Sequence, residues 1–513
     1  MNMIFMSNDT TNKIIEFFKK PEVLLPLAFF IVHLPFLNIV SIADEGTHTL
    51  ISFFLKEFIA NFISNPSISG AYSFAMNFLV HTPKLSLYYM PLFHVIGSIL
   101  MYVSQSFFVT RIENLVISTL SIFFMYKLAY SFTKNKNIAL WASLFLFLSP
   151  LFNLLSINSL TDNFLILAGL ILSYVWFGFL EEGKYSKLFV TIVSLILLFS
   201  RMQIVLVFLA IIIYAVVTKK FKKAILPLVI TGIIFLIYML ILYNLGILSA
   251  FWLSSVNAFD YERADVLSPD ALLFYVNGLS IYYITPGIIL LSSYILFTWV
   301  KDKKRTHWQL FLLILLLVNM FFMFTRNREI RYPYIAIIPF VIAAAQFVVT
   351  KVPRNILRYA LIAFMIISCI AIIAPQYSKQ TPVDYSFLSY MNETGNVLVA
   401  SEKDEFFSSV IMFEYVQNHG LDRLFYRPCS MFDDRSDLII NRTKYVIMID
   451  PPSIPNVEQQ QESMDKIRND KDMSLIYNKE TPYGNISLFK NLNYNDINNT
   501  CNYVCSTKSW VCV

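Results

Sequence analysis

Charged residues are scarce in this chain of 513 amino acids: Asp, Glu, Lys and Arg together make up 14% of it, whereas hydrophobic residues make up 57%. So low a charged fraction excludes an ordinary soluble domain. The 13 glycines form neither a GxGxxG fingerprint nor a Walker loop, which excludes the usual nucleotide-binding motifs. The cysteines and histidines show no zinc-type spacing, and no fixed-period repeat is present.

The net charge is +6, but the Lys and Arg residues lie in short clusters between apolar runs. That distribution encodes membrane topology and argues against a nucleic-acid partner. Apolar stretches long enough to cross a bilayer recur from residue 22 to residue 375. The sequence therefore predicts a polytopic α-helical membrane protein.

The basic clusters orient the chain, because positive loops face the cytoplasm. The clusters are Lys13/Lys19/Lys20, Lys134/Lys136, Lys184/Lys187, Lys219/Lys220/Lys222/Lys223, Lys301/Lys303/Lys304/Arg305 and Lys351/Arg354/Arg358. If all of them are inside, the chain needs eleven spans, predicted near 22–40, 112–131, 138–153, 160–180, 188–200, 202–217, 224–244, 272–299, 307–325, 332–350 and 357–375. An odd number of spans puts the tail outside.

This scheme divides the chain into a cytoplasmic N-terminus (1–21), a membrane region (22–375) with a large first outer loop (41–111), and an extracytoplasmic region (376–513). The apolar run 85–108 would break the parity, so we expect a re-entrant or interfacial segment there. The run 188–217 carries one charge, Arg201, at its centre. It is too long for one upright helix, so two short helices meeting outside at "SRMQ" fit best, with one long tilted helix as the alternative.

The first outer loop contains an apolar pattern at helical spacing that predicts an amphipathic helix on the outer membrane surface. Its apolar face comprises Ile51, Phe54, Leu55, Phe58, Ile59 and Phe62, and its polar face Ser52, Lys56 and Asn61.

The region 376–513 alternates strand-like pieces (395–401 and 443–450) with a helical one (408–420), which predicts a small extracytoplasmic α/β domain. Four of the five cysteines lie there, namely Cys429, Cys501, Cys505 and Cys512. An outside location permits one or two disulfides, whose connectivity the sequence does not give. The modest size favours a prokaryotic cell membrane over the endoplasmic reticulum.

The stretch "ADEGTH" follows the first predicted span, and in it Asp44 and His48 are one helical turn apart. A carboxylate at the outer surface is able to act as a general base toward an acceptor hydroxyl or amine. The alternative is an ordinary N-terminal cap of the helix that follows.

Other ionisable residues are predicted at the same outer surface: Asp162 in "LTDNF", Arg201 in "SRMQ", and Arg326, Arg328, Glu329 and Arg331 in "TRNREIRYPY". Ionisable groups at membrane depth are costly, and such a gathering indicates function. Arg and Lys suit a phosphate at headgroup level. Lys84 and Arg111 border the 85–108 segment, and simple snorkelling is the alternative for both, favoured for Arg111.

Metal binding is the other chemistry to weigh in the first outer loop. His48, His81 and His94 share it, but their spacing matches no compact ligand motif. We therefore expect no cofactor, with a divalent metal as the minor alternative.

The chain resembles the GT-C superfamily of membrane glycosyltransferases, which take sugars from polyprenyl-phosphate carriers. Four stretches carry the resemblance: "ADEGTH", like the family's acidic DE motif; "TPKLSLYYMPLFH" (82–94), like the "KPPLYY" segment of the protein O-mannosyltransferase and aminoarabinose-transferase branch; the run from "SLTDNF" through "SRMQIVLVFL" (159–208), like a long apolar run of that branch; and "NREIRYPYIAIIPF" (327–340), like a stretch of dolichol-dependent mannosyltransferases.

The resemblance implies that Asp44 is the catalytic base and Glu45 its neighbour in the motif. It implies that Lys84, Arg201 and the arginines Arg326, Arg328 and Arg331 line the site for the carrier phosphate, and that Asp162 corresponds to the acidic residue at the mouth of the fourth span. We expect Asp162 and His48 to be substrate-binding residues as well. The expected function is transfer of a mannose or related hexose to a glycan, lipid or protein acceptor outside the membrane.

Two other classes remain open at this point. A lipid-linked saccharide flippase also needs polar groups inside a helix bundle, but it is expected to carry internal repeats and charges near the midplane. A non-catalytic glycan-export subunit would instead work through its outer tail.

Overall fold

The computed structural model describes residues 20–38, 43–81, 89–244, 278, 288–320, 331, 334–377, 384–401, 403, 408–420, 423–426, 440, 442–452, 457–494, 501–504 and 509–512.

The helices follow the apolar runs of the sequence. They are α1 (Pro21–His33), α2 (Ala43–Ser64), α3 (Ile68–His81), α4 (Pro91–Leu100), α5 (Phe107–Thr133), α6 (Lys136–Phe147), α7 (Pro150–Ser156), α8 (Asp162–Phe177), α9 (Lys187–Leu198), α10 (Val205–Val217), α11 (Phe221–Asn244), α12 (Ile288–Lys301), α13 (His307–Met320), α14 (Ile337–Lys351), α15 (Asn355–Tyr377), α16 (Ser408–His419) and α17 (Val457–Arg468). A π-helical turn, Gly178–Glu182, extends α8, and a 3₁₀ turn, Tyr334–Ala336, precedes α14.

Five of these helices are long and apolar enough to cross a membrane within the described residues, or six if the bent pair α6–α7 is one span. They are Phe107–Thr133, Asp162–Glu182, Phe221–Asn244, Tyr334–Lys351 and Asn355–Pro375. Helices also lie at the other predicted spans, but several have only 12 to 14 residues. A 12-residue helix covers about 18 Å, short of a hydrocarbon core of about 30 Å. The count of eleven spans is therefore not confirmed.

The helix bundle is buried at its centre and apolar on its outside. Helix α8 is buried along nearly its whole length, whereas α11 and α15 expose rows of large apolar side chains. Exposed apolar helices of this kind face lipid. The protein is therefore membrane-embedded.

The two ends of the bundle differ in charge. At the C-terminal end of α8, Glu182 forms two ion pairs: its Oε1 lies 2.5 Å from Lys134 Nζ and its Oε2 lies 2.6 Å from Lys184 Nζ. The neighbouring Glu181 forms an ion pair with Lys220. Three of the predicted cytoplasmic clusters thus meet at one end. Asp162 begins the same helix, about 28 Å away at 1.5 Å per residue, which is close to the thickness of the hydrocarbon core.

The run 188–217 forms two short helices, as predicted, and the long tilted helix is wrong. Helix α9 ends at Leu198, a 3₁₀ turn occupies Met202–Ile204, and α10 begins at Val205. Helix α4, at ten residues, is too short to cross a membrane, in line with the prediction that 85–108 is not a span. Its re-entrant or interfacial placement stays a prediction.

The helix predicted over 51–62 is confirmed as part of α2, but the prediction that its polar side faces solvent at the membrane surface is wrong. Helix α2 is covered on several sides: Ser52 and Lys56, assigned to its polar face, are both buried. Its apolar residues pack with Phe78 of α3 and Phe413 of α16, and Ser52 Oγ donates to the His48 carbonyl at 3.1 Å. When other elements enclose a helix, its polar side chains form hydrogen bonds inside the protein. The periodicity of the sequence does not show whether this happens.

The chain beyond the bundle forms a five-stranded sheet in the order β2-β1-β3-β5-β4. The strands are β1 (Val397–Val399), β2 (Phe425–Tyr426), β3 (Tyr445–Asp450), β4 (Met473–Thr481) and β5 (Gly484–Asn491). β1 runs parallel to β2 and β3, and β5 runs antiparallel to β3 and β4. The predicted strands 395–401 and 443–450 and the helix 408–420 correspond to β1, β3 and α16. The extracytoplasmic location of this region stays a prediction.

A separate hairpin pairs β6 (Cys501–Val504) with β7 (Ser509–Cys512), and its register sets Cys501 opposite Cys512. Cys429 and Cys505 lie outside the described residues. The disulfides stay a prediction.

Helix α16 of the C-terminal region packs directly on the start of α2. A Cβ at Gly46 would lie 2.6 Å from both Cγ2 and the backbone nitrogen of Val410, and 2.7 Å from Ser409 Oγ. Only glycine permits two helix backbones to approach this closely. Gly46 of the "ADEGTH" stretch therefore sets the distance between the C-terminal region and the bundle.

We expect Gly46→Ala to destabilise the protein, because the added methyl group meets backbone that cannot move aside. Gly232→Ala is the matched control: it is also helical, and its Cβ would meet nothing within 4 Å. Alanine at an open helical site is favoured over glycine by about 1 kcal/mol. Thermal unfolding in detergent should show a lower midpoint for Gly46→Ala and an equal or higher one for Gly232→Ala; equal midpoints for both variants would contradict the close contact.

Candidate active site

Asp44 lies in the first turn of α2, where the helix dipole favours a carboxylate. Helix α2 begins one residue earlier, so Asp44 does not hold the N-cap position. Its Oδ2 accepts a hydrogen bond from Arg331 Nη2 at 2.6 Å. The side chain is 40% exposed, so the carboxylate is reachable from outside the protein.

Arg331 links Asp44 to a second carboxylate. Its Nη1 lies 3.7 Å from Oδ2 of Asp162, the first residue of α8, and Asp162 also forms an ion pair with Arg201. Exposed side-chain fractions are 26% for Arg331, 14% for Arg201 and 1% for Asp162. The four residues form a chain of alternating charge from the buried start of α8 to the accessible start of α2. We name the chain Asp44–Arg331–Asp162–Arg201 the ion chain.

Arg201 reaches Asp162 because it stands in extended conformation in the break between α9 and α10. The break also holds α4 in place, since Leu92 N donates to the Phe199 carbonyl at 2.9 Å. The described part of the "YYMPLFH" segment, residues 89–94, is thereby fixed beside Arg201. Stretches separated by more than a hundred residues in sequence meet at this end of the bundle.

A hydrogen-bond network forms close to Arg331. Tyr334, three residues after it, donates from its hydroxyl to Asn163 Oδ1 at 2.9 Å. Asn163 Nδ2 in turn donates to Ser118 Oγ at 2.7 Å. Buried amides and hydroxyls satisfied in this way fix Tyr334 against α8.

Glu45 points away from this site. Its carboxylate is fully buried and accepts two hydrogen bonds from Arg111, Nε to Oε1 at 2.6 Å and Nη2 to Oε2 at 2.8 Å. Oε1 also accepts from Ser159 N at 2.8 Å, and Arg111 Nη1 donates to the Leu37 carbonyl at 2.7 Å. This bidentate pair ties the start of α2 to α5 and to the loop before α8. Snorkelling of Arg111 to the interface is therefore wrong.

His48 is buried one turn after Asp44. Its Nδ1 lies 3.0 Å from His94 Nε2, and His94 Nδ1 lies 3.3 Å from the Met90 carbonyl. Because a carbonyl only accepts, His94 donates from Nδ1 and its Nε2 accepts from His48. Burial lowers the pKa of His48 to about 3, so this ring is neutral at physiological pH. The pair joins α2 to α4 beside the ion chain.

The structure thus brings together Asp44, Asp162, Arg201 and Arg331, with His48 behind Asp44. Lys84, Arg326 and Arg328 lie outside the described residues, and their assignment to the carrier phosphate stays a prediction. His81 is elsewhere, with its Nδ1 2.7 Å from the Asn77 carbonyl, so the three histidines of the first outer loop do not form one ligand set. Within the described ranges, no group of three or more His, Cys, Asp or Glu side chains is arranged to hold a metal.

The sequence interpretation missed the partners that hold the site. Arg111, treated as an interfacial residue, is the counter-ion of Glu45, and Tyr334 and Asn163 were not singled out. No sequence pattern pairs Arg111 with Glu45, because that contact depends on how α2 packs against α5.

Residues 89–243 match the family model described as Dolichyl-phosphate-mannose-protein mannosyltransferase. A search of curated protein sequences returns no match. Among solved structures, ArnT from Cupriavidus metallidurans in the apo state is similar over 96% of this chain and 100% of its own, with a TM-score of 0.59 and 11% identity. The chain has the GT-C fold. The same protein bound to undecaprenyl phosphate covers 91% of this chain and 97% of its own, with a TM-score of 0.55 and 11% identity. The resemblance to the GT-C superfamily is confirmed.

Glu45→Gln tests whether that carboxylate is structural. Removing one partner of a buried pair strands the other charge and costs about 3–5 kcal/mol, so we expect a much lower unfolding midpoint. Asp44→Asn, at an exposed end of the ion chain, should leave the midpoint within a few degrees of the unchanged protein. A Glu45→Gln variant that unfolds normally but has lost activity would instead make Glu45 catalytic.

Proposed function

We propose that the protein is a glycosyltransferase that moves a mannose or related hexose from a polyprenyl-phosphate carrier to an acceptor outside the membrane. The observation that carries the proposal is the ion chain, in which an accessible carboxylate and two arginines meet at one end of a lipid-facing helix bundle. The GT-C fold and the match of 89–243 to a mannosyltransferase family support it. The undecaprenyl phosphate bound to the similar ArnT supports a lipid-linked donor.

The arginines bind the phosphate of the donor. A sugar phosphodiester carries one negative charge, and departure of the polyprenyl phosphate adds a second as the bond from the anomeric carbon to oxygen breaks. Asp162 holds Arg201 and Arg331 near this position, so once the donor is bound both arginines are in place to stabilise the developing charge. Membrane lipids surround the polyprenyl tail, and no step requires a further cofactor.

Asp44 is the general base in this proposal. The acceptor hydroxyl or amine attacks the anomeric carbon in line, and its proton passes to the Asp44 carboxylate while the leaving phosphate takes the bonding electrons. The configuration at the anomeric carbon inverts. Arg331 turns from Asp44 toward the donor phosphate when the donor binds, which releases the carboxylate to the acceptor. His48, neutral and tied to His94, holds the turn of α2 that presents Asp44.

The first test is release of polyprenyl phosphate from radiolabelled polyprenyl-phosphate mannose and glucose, with crude membrane acceptors. Asp44→Asn should lower the rate by at least about 10²-fold, as for loss of a general base. Asp465→Asn is the control, an exposed carboxylate of α17 paired with Arg468. Equal rates for all three proteins would remove Asp44 from the mechanism, and no release with any donor would favour the flippase.

Arg331→Gln should lower kcat by about 10²–10³-fold, as for loss of one oxyanion donor. Arg331→Lys keeps the charge but not the fork, so it should recover only part of the activity. Arg468→Gln on the exposed face of α17 serves as the matched control. If KM rises for Arg331→Gln while kcat is unchanged, the arginine binds donor without stabilising the transition state.

A non-catalytic export subunit is tested by the same assays. Deleting the C-terminal region is not a clean test of that alternative, because α16 covers Gly46 beside the proposed base. Point variants at Asp44 and Arg331 leave that contact in place, and full function of both variants in cells would favour the export subunit.

A further inference from the structure

A polar cavity lies at the opposite end of the bundle from the ion chain. It occupies about 370 Å³ between α12, α13 and α14. Cavities of about 300–1,000 Å³ are the usual size of small-molecule sites. Helix α13 begins at His307, which lies 3.3 Å from Tyr214 and 3.6 Å from Glu181. The cavity therefore lies at the basic end, about one hydrocarbon thickness from Asp44.

Two opposite charges line this cavity without pairing. Asp302, just after α12, and Lys351, at the end of α14, both border it. Within the described residues, Asp302 and Lys351 form no ion pair with each other, and neither forms one with a third side chain. Asp302 Oδ1 accepts a hydrogen bond from the backbone nitrogen of Lys304 at 2.8 Å, which orients the carboxylate. A cavity with a separate anion and cation fits a ligand that carries both an ammonium and a phosphate.

The cavity extends from these charges toward the membrane interior. Tyr294, two turns before Asp302 on α12, also lines it, at a depth of about 12 Å by the helical rise. Tyr294 is half exposed, and its ring meets Phe347 edge-on, with centroids 5.8 Å apart. The lining thus changes from charged to aromatic along the helix axis, as the groups of a phospholipid change from headgroup to acyl chain.

The inner wall of the cavity is formed by Trp299, which packs against a second tryptophan and is hydrogen-bonded to a glutamine. Trp299 is buried, packs against Trp308 at 5.1 Å between centroids, and donates from Nε1 to Gln346 Oε1 at 3.0 Å. Tryptophan with its N–H satisfied at the headgroup level is typical of membrane interfaces. Gln346 also lines the cavity, and its amide nitrogen is a donor of the kind that suits a phosphate or ester oxygen.

We propose that this cavity binds one phospholipid with a phosphoethanolamine headgroup. The ammonium contacts Asp302, the phosphate contacts Lys351 and Gln346, and the glycerol end lies against Tyr294. The site is separate from the donor site, and the inference does not depend on the proposed function.

The test measures lipid retained by the purified full-length protein, using native mass spectrometry after exchange into mixtures of phosphatidylethanolamine, phosphatidylcholine and phosphatidylglycerol. We expect phosphatidylethanolamine to be retained in preference to the other two by about tenfold, which corresponds to about 1.4 kcal/mol. Asp302→Asn keeps the hydrogen bond to Lys304 N but removes the charge, so it should abolish the preference over phosphatidylglycerol. Lys351→Gln should reduce retention of both, and Lys303→Gln, a lysine of the same loop that does not line the cavity, should change neither.

Equal retention of the three lipids by the unchanged protein, or the same effect of Asp302→Asn and Lys303→Gln, would overturn the proposal. Free glycerophosphoethanolamine and inorganic phosphate are added in separate experiments as soluble competitors of the lipid. If either competes as well as the lipid does, the cavity is a site for a soluble phosphate compound and the lipid assignment is wrong.

Discussion

The buried carboxylate of Asp162 constrains the arrangement of this end of the molecule. A carboxylate that is 1% exposed is tolerable only with cations beside it, because an isolated charge in low dielectric is strongly disfavoured. The cations come from two distant segments, the break between α9 and α10 and the turn before α14. Neutralising Asp162 therefore requires Arg201 and Arg331 to converge at the start of α8, and Arg331 then reaches Asp44.

The two carboxylates of the "ADEGTH" stretch have separate tasks. Glu45, buried against Arg111, fixes where α2 begins, and Asp44, one residue earlier, faces the accessible side. Adjacent residues of a helix are about 100° apart, so one binds the scaffold while the other faces the reactants. Gly46 completes the arrangement by letting α16 approach. Three consecutive residues thus connect the bundle, the proposed site and the C-terminal region.

Much of this could be predicted from the sequence. Hydropathy located the helices, the positive-inside rule brought Lys134, Lys184 and Lys220 to one end, and Arg201 in the middle of an apolar run marked the helix break. Asp162 and Arg331 were singled out because ionisable groups at membrane depth are costly. Pairwise contacts were not predictable: periodicity showed that α2 has two faces but not that Ser52 and Lys56 face protein. The counter-ion of Glu45 follows only from the packing of α2 against α5.

The proposed mechanism depends most on Arg331 exchanging Asp44 for a phosphate. The direct measurement is a cryo-electron microscopy structure of the protein with polyprenyl phosphate bound. We expect phosphate oxygens within hydrogen-bond distance of Arg331 and Arg201, Asp162 still paired with Arg201, and the Asp44 carboxylate released toward an open cleft. A phosphate bound elsewhere, with the Arg331–Asp44 hydrogen bond intact, would contradict this mechanism.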